Sequence, residues 1–416
     1  MRGPLASSLI PLLLAAACVA GPAAAQSNEV LAPSSLGPLR VTTLASGLQN
    51  PWAMAFLPDG RLLITERPGR LRVYSNGTLS APITGLPAVW AQGQGGLLDV
   101  ALDPDFARNQ RLYLSYAEAG SGGKAGTAVM RARLVGSALQ DVLVIFRQEP
   151  KLSTGNHFGS RLVFNRQGHL FITLGENNVR ISAQALDQHQ GKVVRLWPDG
   201  NIPTDNPFVG HPTALEDLWS YGHRNPQGAT LNPWTGALWT VEHGAMGGDE
   251  INIPQAGKNY GWPRITHGLD YNGQPIPESV GTSAPGMEQP VHQWTPSIAP
   301  SGMAFYTGLE LFDWQGDLFV GALAAQQLVR LEIAGDRVVA EERLLTGMGH
   351  RVRDVRNGPD GALYVLTDSG NGKLLRIVQA KPRFRRSLQG DKLPVREGAA
   401  PGETPMPKPA PVRRGG

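Results

Sequence analysis

The chain has 416 residues, of which 51 are Gly and 34 are Pro, while only 17% carry a charge. This many turn-forming residues with so few charges argues against a helical bundle, a coiled coil or a highly charged disordered chain, and favours an all-β body of short strands. The formal net charge of +4 is concentrated in residues 381–416, which hold nine Lys and Arg against three Asp and Glu, so no nucleic-acid partner is predicted for the rest of the chain.

Residues 1–25 have the pattern of a secretory signal peptide. A basic start at Arg2 precedes an apolar stretch at residues 9–20 and an Ala-rich end, so we predict cleavage after Ala25 and a periplasmic or secreted mature protein. The apolar stretch is short for a membrane span, and an uncleaved anchor or a lipoprotein attached at Cys18 are the alternatives. Cys18 is the one cysteine of the chain. Its removal with the signal excludes disulfides, thiol catalysis and Cys-bound zinc from the mature protein.

A short sequence pattern recurs six times: a turn rich in Pro, Asp, Asn and Gly leads into a segment of alternating β-forming residues. The copies begin at Pro58, Asp103, Asn165, Asn232, Trp314 and Gly358. Each copy predicts a tight turn that delivers a half-buried strand. Spacings of roughly 45 to 80 residues match one four-stranded antiparallel blade per copy, so the predicted fold is an all-β, six-bladed β-propeller over residues 35–380. Two β-sandwiches are the alternative, but they account poorly for the repetition.

The loops of a propeller converge at the mouth of its central channel, so its longest insertions are candidates for site-forming loops. Here they lie at residues 174–230 and 241–311. After residue 380 the chain is Pro-rich and basic without apolar periodicity, and we predict a disordered tail over residues 381–416.

Polar, Gly-interrupted segments depart from the strand pattern at five places. Taken singly, each has a structural explanation: His157 as a loop histidine, the late arginines as a solvated strand edge, and the Gly-Gly-Asp-Glu run as a turn. Together they offer a His that can act as a general base, Arg forks for carboxylates or quinone oxygens, and Asp249 and Glu250 as hard oxygen ligands for Ca²⁺. No Gly-x-Gly-x-x-Gly links a strand to a helix and no Gly-x-Ser-x-Gly elbow occurs, so neither a nicotinamide or flavin site nor a serine hydrolase is predicted.

The five segments contain longer motifs: Gly-Gln-Gly-Gly-Leu-Leu-Asp at 93–99, Gly-Asn-His-Phe-Gly-Ser-Arg at 155–161, Gly-His-Arg-Asn-Pro-Gln-Gly at 222–228, Gly-Gly-Asp-Glu-Ile-Asn at 247–252 and Arg-Val-Arg-Asp-Val at 351–355. In this order they resemble the soluble PQQ-dependent aldose sugar dehydrogenases, a family of periplasmic glucose/sorbosone-type enzymes. The resemblance covers nearly all of residues 38–379. It implies a six-bladed propeller, PQQ and Ca²⁺ as cofactors, and an aldose sugar as substrate.

The resemblance also implies roles for individual residues. His157 would take the proton from the anomeric hydroxyl while the C1 hydride passes to the quinone, and Ca²⁺ would polarise the quinone carbonyl. Contacts with the cofactor would come from Gln94, Arg224, Asn225, Tyr271, Ala322, Leu323, Ala324, Arg351, Val352 and Arg353. Tyr271 would also lie against the sugar. The calcium positions would be the backbone oxygens of Gly244 and Ala245 and, at another site, Glu250 and the carbonyl of Tyr260.

Ala324 departs from the family pattern, because the resemblance places a cofactor-contacting Lys at this position. Ala supplies no charge, and losing one charge-assisted contact costs on the order of 1.5–3 kcal/mol of binding free energy. Gln326 is the nearest neutral replacement. We therefore expect weaker PQQ binding than the other motifs imply.

Two further functions stay open at this point. A Ca²⁺-dependent propeller lactonase or phosphotriesterase would hold its metal in a ring of Glu, Asn and Asp side chains, whereas the motifs here offer more Arg and Gln. A non-catalytic propeller that binds glycans or proteins would need no His157 beside a cofactor, and Ala324 is the best support for it. The leading prediction is a dehydrogenase that oxidises aldoses to lactones and passes the electrons to a soluble or membrane acceptor, with no membrane span after signal cleavage.

Overall fold

A computed structural model describes residues 28–380 of the chain. The predicted signal peptide at 1–25 and the predicted tail at 381–416 lie outside the described residues. Within residues 28–380, 25 strands form six sheets, which confirms the predicted six-bladed β-propeller. No helix in this part of the chain has the length and apolar character needed to cross a membrane.

Five blades are each built from four consecutive strands, and the sixth takes strands from both ends of the described chain. Strands β1 (Glu29–Ala32) and β2 (Leu39–Leu48) precede the first blade. The first three blades contain β3 (Pro51–Phe56), β4 (Leu62–Glu66), β5 (Arg70–Ser75), β6 (Thr78–Leu79), β7 (Leu97–Leu102), β8 (Arg111–Ala119), β9 (Ala125–Val135), β10 (Ala138–Arg147), β11 (Leu162–Phe164), β12 (Leu170–Thr173), β13 (Lys192–Leu196) and β14 (Leu218–Tyr221). The last three contain β15 (Pro226–Leu231), β16 (Leu238–Glu242), β17 (Asp249–Asn252), β18 (His292–Trp294), β19 (Pro300–Phe305), β20 (Leu318–Ala322), β21 (Gln327–Ala334), β22 (Arg337–Leu344), β23 (Val352–Asn357), β24 (Leu363–Thr367) and β25 (Gly372–Gln379). Short helical segments are α1 (Phe106–Asn109) and the 3₁₀ turns Ser121–Gly123, Arg180–Gln184 and Phe312–Trp314.

The recurring sequence pattern lies at the same place in every blade, the turn between its first and second strands. The copy at Pro58 joins β3 to β4, and the copy at Gly358 joins β23 to β24. Gly60 and Gly361 in these turns have φ of +84° and +80°, in the region that favours glycine. The repeated glycine therefore reflects the backbone geometry of the turn.

The sixth blade closes the ring by pairing the two ends of the described chain. Strand β2 pairs with β25, from Leu39 opposite Gln379 to Leu48 opposite Gly372. Strand β1 then pairs with β2 and gives this blade a fifth strand, one more than predicted and ahead of residue 35. A backbone hydrogen-bond ladder thus holds the seam of the ring.

The first strands of the blades lie next to one another at the centre of the ring, as β3 and β7 do. Within a blade the first two strands are antiparallel, so the start of the first and the end of the second lie at the same face. Pro51 at the start of β3, for example, is opposite Glu66 at the end of β4. Segments that precede a first strand or follow a second strand therefore meet at one face, called the site face below.

A buried ion network joins three blades near the centre. The guanidinium of Arg161 lies 3.2 Å from Oδ1 of Asp99 and 3.1 Å from Oδ1 of Asp354. Burial lowers the pKa of Arg161, and the two carboxylates oppose this effect. Its Nε donates to the carbonyl of Gln227 at 2.7 Å. Arg161 and Asp99, although part of the sequence motifs, therefore have a structural role.

Candidate active site

The predicted cofactor residues gather on the site face. Gln94 precedes β7, His157 precedes β11, Arg224 and Asn225 precede β15, and Arg353 lies near the start of β23. Because these positions lie at the first strands of four different blades, the ring brings together side chains that are far apart in sequence. Gln94 and His157 are in direct contact, since the backbone N–H of His157 donates to Oε1 of Gln94 at 2.9 Å.

The imidazole of His157 is paired with a carboxylate that no motif indicated. Its Nδ1 lies 2.7 Å from Oε2 of Glu176, and both side chains are buried. Glu176 follows β12, the second strand of its blade, and so reaches the site face. A carboxylate at Nδ1 fixes the ring orientation and favours the tautomer in which Nε2 accepts a proton. This arrangement is that of a general base.

The backbone at His157 is unusual and tightly packed. His157 has φ of +51°, which is uncommon for a residue with a Cβ atom. A Cβ atom at Gly175 would lie 2.0 Å from the carbonyl oxygen of His157, so only glycine fits there. The side-chain amide of Asn177 donates to the same carbonyl at 3.1 Å. The segment 175–177 therefore fixes both the backbone and the ring of His157.

Arg224 connects this region to the insertion at 241–311. Its guanidinium donates to the carbonyl of His243 at 3.2 Å and to the hydroxyl of Tyr271 at 3.4 Å. It also lies over the ring of Trp262, 5.3 Å from the centroid. Its backbone N–H donates to Oε2 of Glu242 at 2.6 Å. These contacts hold the guanidinium at the edge of the site.

His243 is a second histidine of the site, but it is not built to exchange protons. Burial, followed by the charge of Arg224, lowers its pKa to about 3. Its Nε2 donates to the carbonyl of Pro300 at 2.5 Å. A neutral ring with a committed N–H is a structural element at neutral pH.

Arg351 and Arg353 share a single carboxylate, Asp368. Oδ2 of Asp368 accepts from Nη2 of Arg353 at 2.8 Å and from Nη2 of Arg351 at 3.4 Å. Burial acts to raise the pKa of Asp368, but the charge and hydrogen bond of Arg353 outweigh it and hold that pKa at about 2. Two guanidinium groups against one carboxylate leave a surplus of positive charge.

Among the predicted cofactor residues, three buried donors have no hydrogen-bond partner within the described part of the chain: Nε of Arg224, Nδ2 of Asn225 and Nε of Arg353. The other polar atom of Asn225, Oδ1, accepts from the N–H of Gly159 at 3.1 Å, so the side chain is held in place. Leaving a buried donor unpaired costs roughly 1–3 kcal/mol. The arrangement therefore suits a ligand that brings several acceptor atoms.

The four apolar cofactor candidates take different positions. Ala322 and Val352 are buried in the apolar core between blades, so they could contact a ligand only through backbone atoms. The carbonyl of Leu323 accepts from Nη1 of Arg351 at 3.3 Å. Ala324 is exposed just after β20, on the site face. The guanidinium of Arg351 therefore lies beside the segment 322–324, where Ala324 itself supplies no positive charge.

Tyr271 stands at the outer edge of the site, with 69% of its surface exposed. Oδ1 of the neighbouring Asp270 accepts from the N–H of Tyr271 at 2.8 Å, and its Oδ2 lies 2.8 Å from Nη2 of Arg180. Arg180 belongs to the 3₁₀ turn that follows Glu176. This ion pair links the loop that carries the partner of His157 to the loop that carries Tyr271.

Two carboxylates meet at a small cavity beside β17. Glu242, Glu250, Tyr260 and Gly244 line this cavity, whose volume is about 10 Å³, close to that of one bound water molecule or ion. Nδ2 of Asn252 donates to both carboxylates, at 3.0 Å and 3.2 Å. Burial and the charge of Glu242 raise the pKa of Glu250 to about 8. A divalent cation held by these oxygens would relieve the repulsion between the two carboxylates.

Asp249, considered above as a calcium ligand, has another role. Its carboxylate accepts from the N–H of Gly244 at 2.8 Å and from the hydroxyl of Ser297 at 2.7 Å, and so ties two loops together. Ala245 packs against Trp262 in a small apolar cluster. Across residues 28–380, no three His, Cys, Asp or Glu side chains converge as a metal site. Calcium here would rest on two carboxylates and on backbone oxygens.

Four polar side chains of the site were not predicted from the sequence. They follow the second strands of their blades: Arg67 after β4, Glu176 after β12, His243 after β16 and Asp368 after β24. Each lies outside the five long motifs of the sequence. Their position after a second strand is the signal that could have identified them.

The sequence profile of the Glucose / Sorbosone dehydrogenase family matches residues 48–376. The chain belongs to this family. It is 56% identical over 343 residues to the aldose sugar dehydrogenase YliI of Escherichia coli (strain K12), and the match covers 82% of this chain and 92% of that relative. This result confirms the family that the motifs predicted.

Solved structures support the same family assignment. The soluble aldose sugar dehydrogenase of Escherichia coli in its apo-form superposes with a TM-score of 0.81 at 55% identity, covering 83% of this chain and all (100%) of the other. The PQQ-bound form of an aldose sugar dehydrogenase from Streptomyces coelicolor superposes with a TM-score of 0.66 at 27% identity, covering 82% and 98%. The predicted enzyme class, a sugar dehydrogenase, is that of the family.

Proposed function

We propose that this chain is a PQQ-dependent dehydrogenase that oxidises an aldose at its anomeric carbon to the lactone and passes the electrons to an acceptor. The observation that carries the proposal is the buried pair of His157 and Glu176 beside the three unpartnered donors on the same face. A base next to a site that demands acceptor atoms suits removal of a proton from a sugar hydroxyl beside an anionic cofactor. Family membership and the PQQ-bound relative support it.

The donor set fits PQQ, a flat quinone that carries three carboxylates. When bound, it supplies the quinone that accepts a hydride from the sugar. Arg351 and Arg353 would bind carboxylate groups of the cofactor with forked hydrogen bonds. Asp368 neutralises only one of the two positive charges, so one remains for the ligand. Arg224 and Asn225 would direct their unpaired N–H groups at acceptor oxygens of the cofactor.

His157 would remove the proton from the anomeric hydroxyl at its Nε2 atom. Its Nδ1–H donates to Glu176, which stabilises the imidazolium that forms when the proton is taken up. The backbone contact with Gln94 and the close approach of Gly175 keep the ring in a fixed position. A fixed base needs little reorganisation when the substrate arrives.

Tyr271 would provide a flat surface for the sugar ring at the mouth of the site. Its backbone is tied to Asp270, and its hydroxyl accepts from Arg224. Because the ring is largely exposed in the absence of substrate, a pyranose that stacks on it would bury apolar surface on both partners. Residues of the core have no such surface to offer.

Glu250 and the carbonyl of Tyr260 would hold a calcium ion at the cavity beside β17, together with the carboxylate of Glu242. Oxygen ligands of this kind are the ones that Ca²⁺ prefers. Gly244 and Ala245 would present backbone oxygens to a calcium ion, which would supply Lewis acidity there. The predicted signal peptide supports a periplasmic location, where the acceptor would be a soluble or membrane electron carrier.

Reconstitution tests the proposal. The purified protein, freed of cofactor, is titrated with PQQ in the presence of Ca²⁺, and reduction of an artificial dye is followed with a panel of aldoses. We expect a spectral change on PQQ binding and dye reduction that requires both PQQ and sugar. His157→Ala should abolish turnover and still bind PQQ. His211→Ala, which changes an exposed histidine, is its control and should behave as the unchanged protein. Absence of any spectral change and of PQQ-dependent turnover would disprove the proposed function.

A further inference from the structure

Arg67 lies on the site face although no motif pointed to it. It directly follows Glu66, the last residue of β4 and thus the end of a second strand. Its backbone N–H donates to the carbonyl of Asn50 at 3.1 Å, and its carbonyl accepts from the N–H of Leu97 at 3.0 Å. Asn50 precedes the first strand of the first blade and Leu97 opens that of the second. The backbone of Arg67 is therefore fixed between two blades.

The side chain of Arg67 reaches the segment that carries Gln94. Its Nη2 donates to the carbonyl of Gly93 at 3.0 Å, one residue before Gln94. A Cβ atom at Gly96 would lie 2.3 Å from the carbonyl oxygen of Arg67, so this segment can approach only because residue 96 is glycine. Gln94 in turn accepts from the backbone of His157. The guanidinium thus lies one contact away from the residue that adjoins the base.

The charge of Arg67 is not compensated within the described part of the chain. Among residues 28–380, its guanidinium has no carboxylate within ion-pair distance, and its Nε is buried without a hydrogen-bond partner. Arg351 and Arg353, by contrast, share Asp368. Burial is the main cause that lowers the pKa of Arg353, and the charge of Arg67 acts in the same direction.

An unpaired guanidinium among other cations is unfavourable unless an anion completes it. We infer that Arg67 is a further cofactor-binding residue, which donates to a carboxylate of the bound quinone cofactor from the side of the first blade. This inference rests on the proposed function. Arg67 would act with Arg353 on the anionic part of the cofactor, while Gly93 keeps the guanidinium in position.

Equilibrium binding of PQQ to the cofactor-free full-length protein tests this inference. Arg67→Gln removes the charge but keeps an N–H donor in the side chain, and we expect its Kd to rise about 10- to 100-fold. Arg67→Lys should fall between that variant and the unchanged protein. Arg61→Gln is the matched control, because Arg61 stands at the other end of β4, is exposed and pairs with Asp59. Its Kd should not change.

A second measurement separates binding from a purely structural role. The Kd of the unchanged protein should rise with ionic strength, and the dependence should be shallower for Arg67→Gln, because one fewer charge is screened. Thermal unfolding of the cofactor-free variants checks that they are folded. If the unchanged protein binds PQQ and Arg67→Gln binds it equally well with the same salt dependence, the inference is wrong and the proposed function stands. If the unchanged protein binds no PQQ, both fall.

Discussion

Nδ1 of His157 lies 2.7 Å from Oε2 of Glu176, with both side chains buried on the site face. A carboxylate at this distance both orients the ring and stabilises its protonated form. This pair, rather than the histidine alone, is the unit from which the proposed chemistry follows.

Glu176→Gln should therefore lower kcat by at least about 100-fold, because the amide cannot stabilise the imidazolium and can favour the wrong tautomer. The affinity for PQQ should not change, since Glu176 is not among the unpaired donors of the site. Steady-state kinetics and PQQ titration measure the two quantities. Glu310→Gln is the control, because Glu310 is exposed and lies between β19 and β20, on the face opposite the site face. An equal loss of kcat and of cofactor affinity would contradict a role through His157.

The Arg353–Asp368 pair should contribute a pH-dependent part of the stability. The pKa of Asp368 lies at about 2 in the folded protein against 3.8 normally, so its contribution is present above pH 4 and is lost as the pH falls toward 2. Asp368→Asn should lower the free energy of unfolding at pH 7 by about 2 kcal/mol. Denaturant unfolding of the cofactor-free protein measures it.

The difference in free energy of unfolding between Asp368→Asn and the unchanged protein should shrink as the pH is lowered below 4. Asp141→Asn, which breaks the exposed pair with Arg133, should change stability little at any pH. A difference for Asp368→Asn that is the same at pH 7 and pH 3 would contradict the assignment of the low pKa to this carboxylate.

The Arg180–Asp270 pair should position Tyr271 for the sugar. Breaking it with Arg180→Gln should raise KM for the aldose about two- to fivefold with little change in kcat, because a partly exposed ion pair contributes modestly. The double variant with Asp270→Asn should show less than the product of the single effects. Lys258→Gln, which breaks an exposed pair in the same insertion, is the control. Additive effects of the two changes would show that the pair does not act as a unit.

Calcium should stabilise the protein through Glu250. Addition of Ca²⁺ should raise Tm, because an ion that binds only the folded state stabilises it by mass action. Glu250→Gln should remove most of this rise, whereas Glu288→Gln, an exposed carboxylate of the same insertion, should keep it. Differential scanning calorimetry with and without a chelator measures the shift. A Ca²⁺-dependent rise in Tm that survives Glu250→Gln would place the ion elsewhere.

The blade count could be predicted because each blade repeats one turn between its first two strands. The copies at Pro58 and Gly358 mark equivalent turns in the first blade and in the closing blade. The closing strand could not be predicted in the same way. The pairing of Leu39 with Gln379 joins residues at the two ends of the described chain, and an alternating pattern does not reveal the partner of a strand.

Part of the candidate site could be proposed from the sequence, because residues that precede first strands lie in long Gly-rich motifs. His157 and Arg224 are candidates of this kind, and their roles stay predictions. Glu176 and Asp368 follow second strands outside those motifs, and only the antiparallel topology shows that they reach the same face. Val352 lies inside a motif while its side chain belongs to the core, so only its backbone atoms are available to a ligand.

Anaerobic mixing of the PQQ-loaded protein with one equivalent of aldose is the decisive test of the proposed chemistry, because it observes reduction of the cofactor without any acceptor. We expect rapid reduction that is slowed when deuterium replaces hydrogen at C1 of the sugar. We also expect His157→Ala to bind PQQ normally but to be reduced at least about 100-fold more slowly. Reduction of His157→Ala at the rate of the unchanged protein, or no reduction of either, would contradict the proposed chemistry.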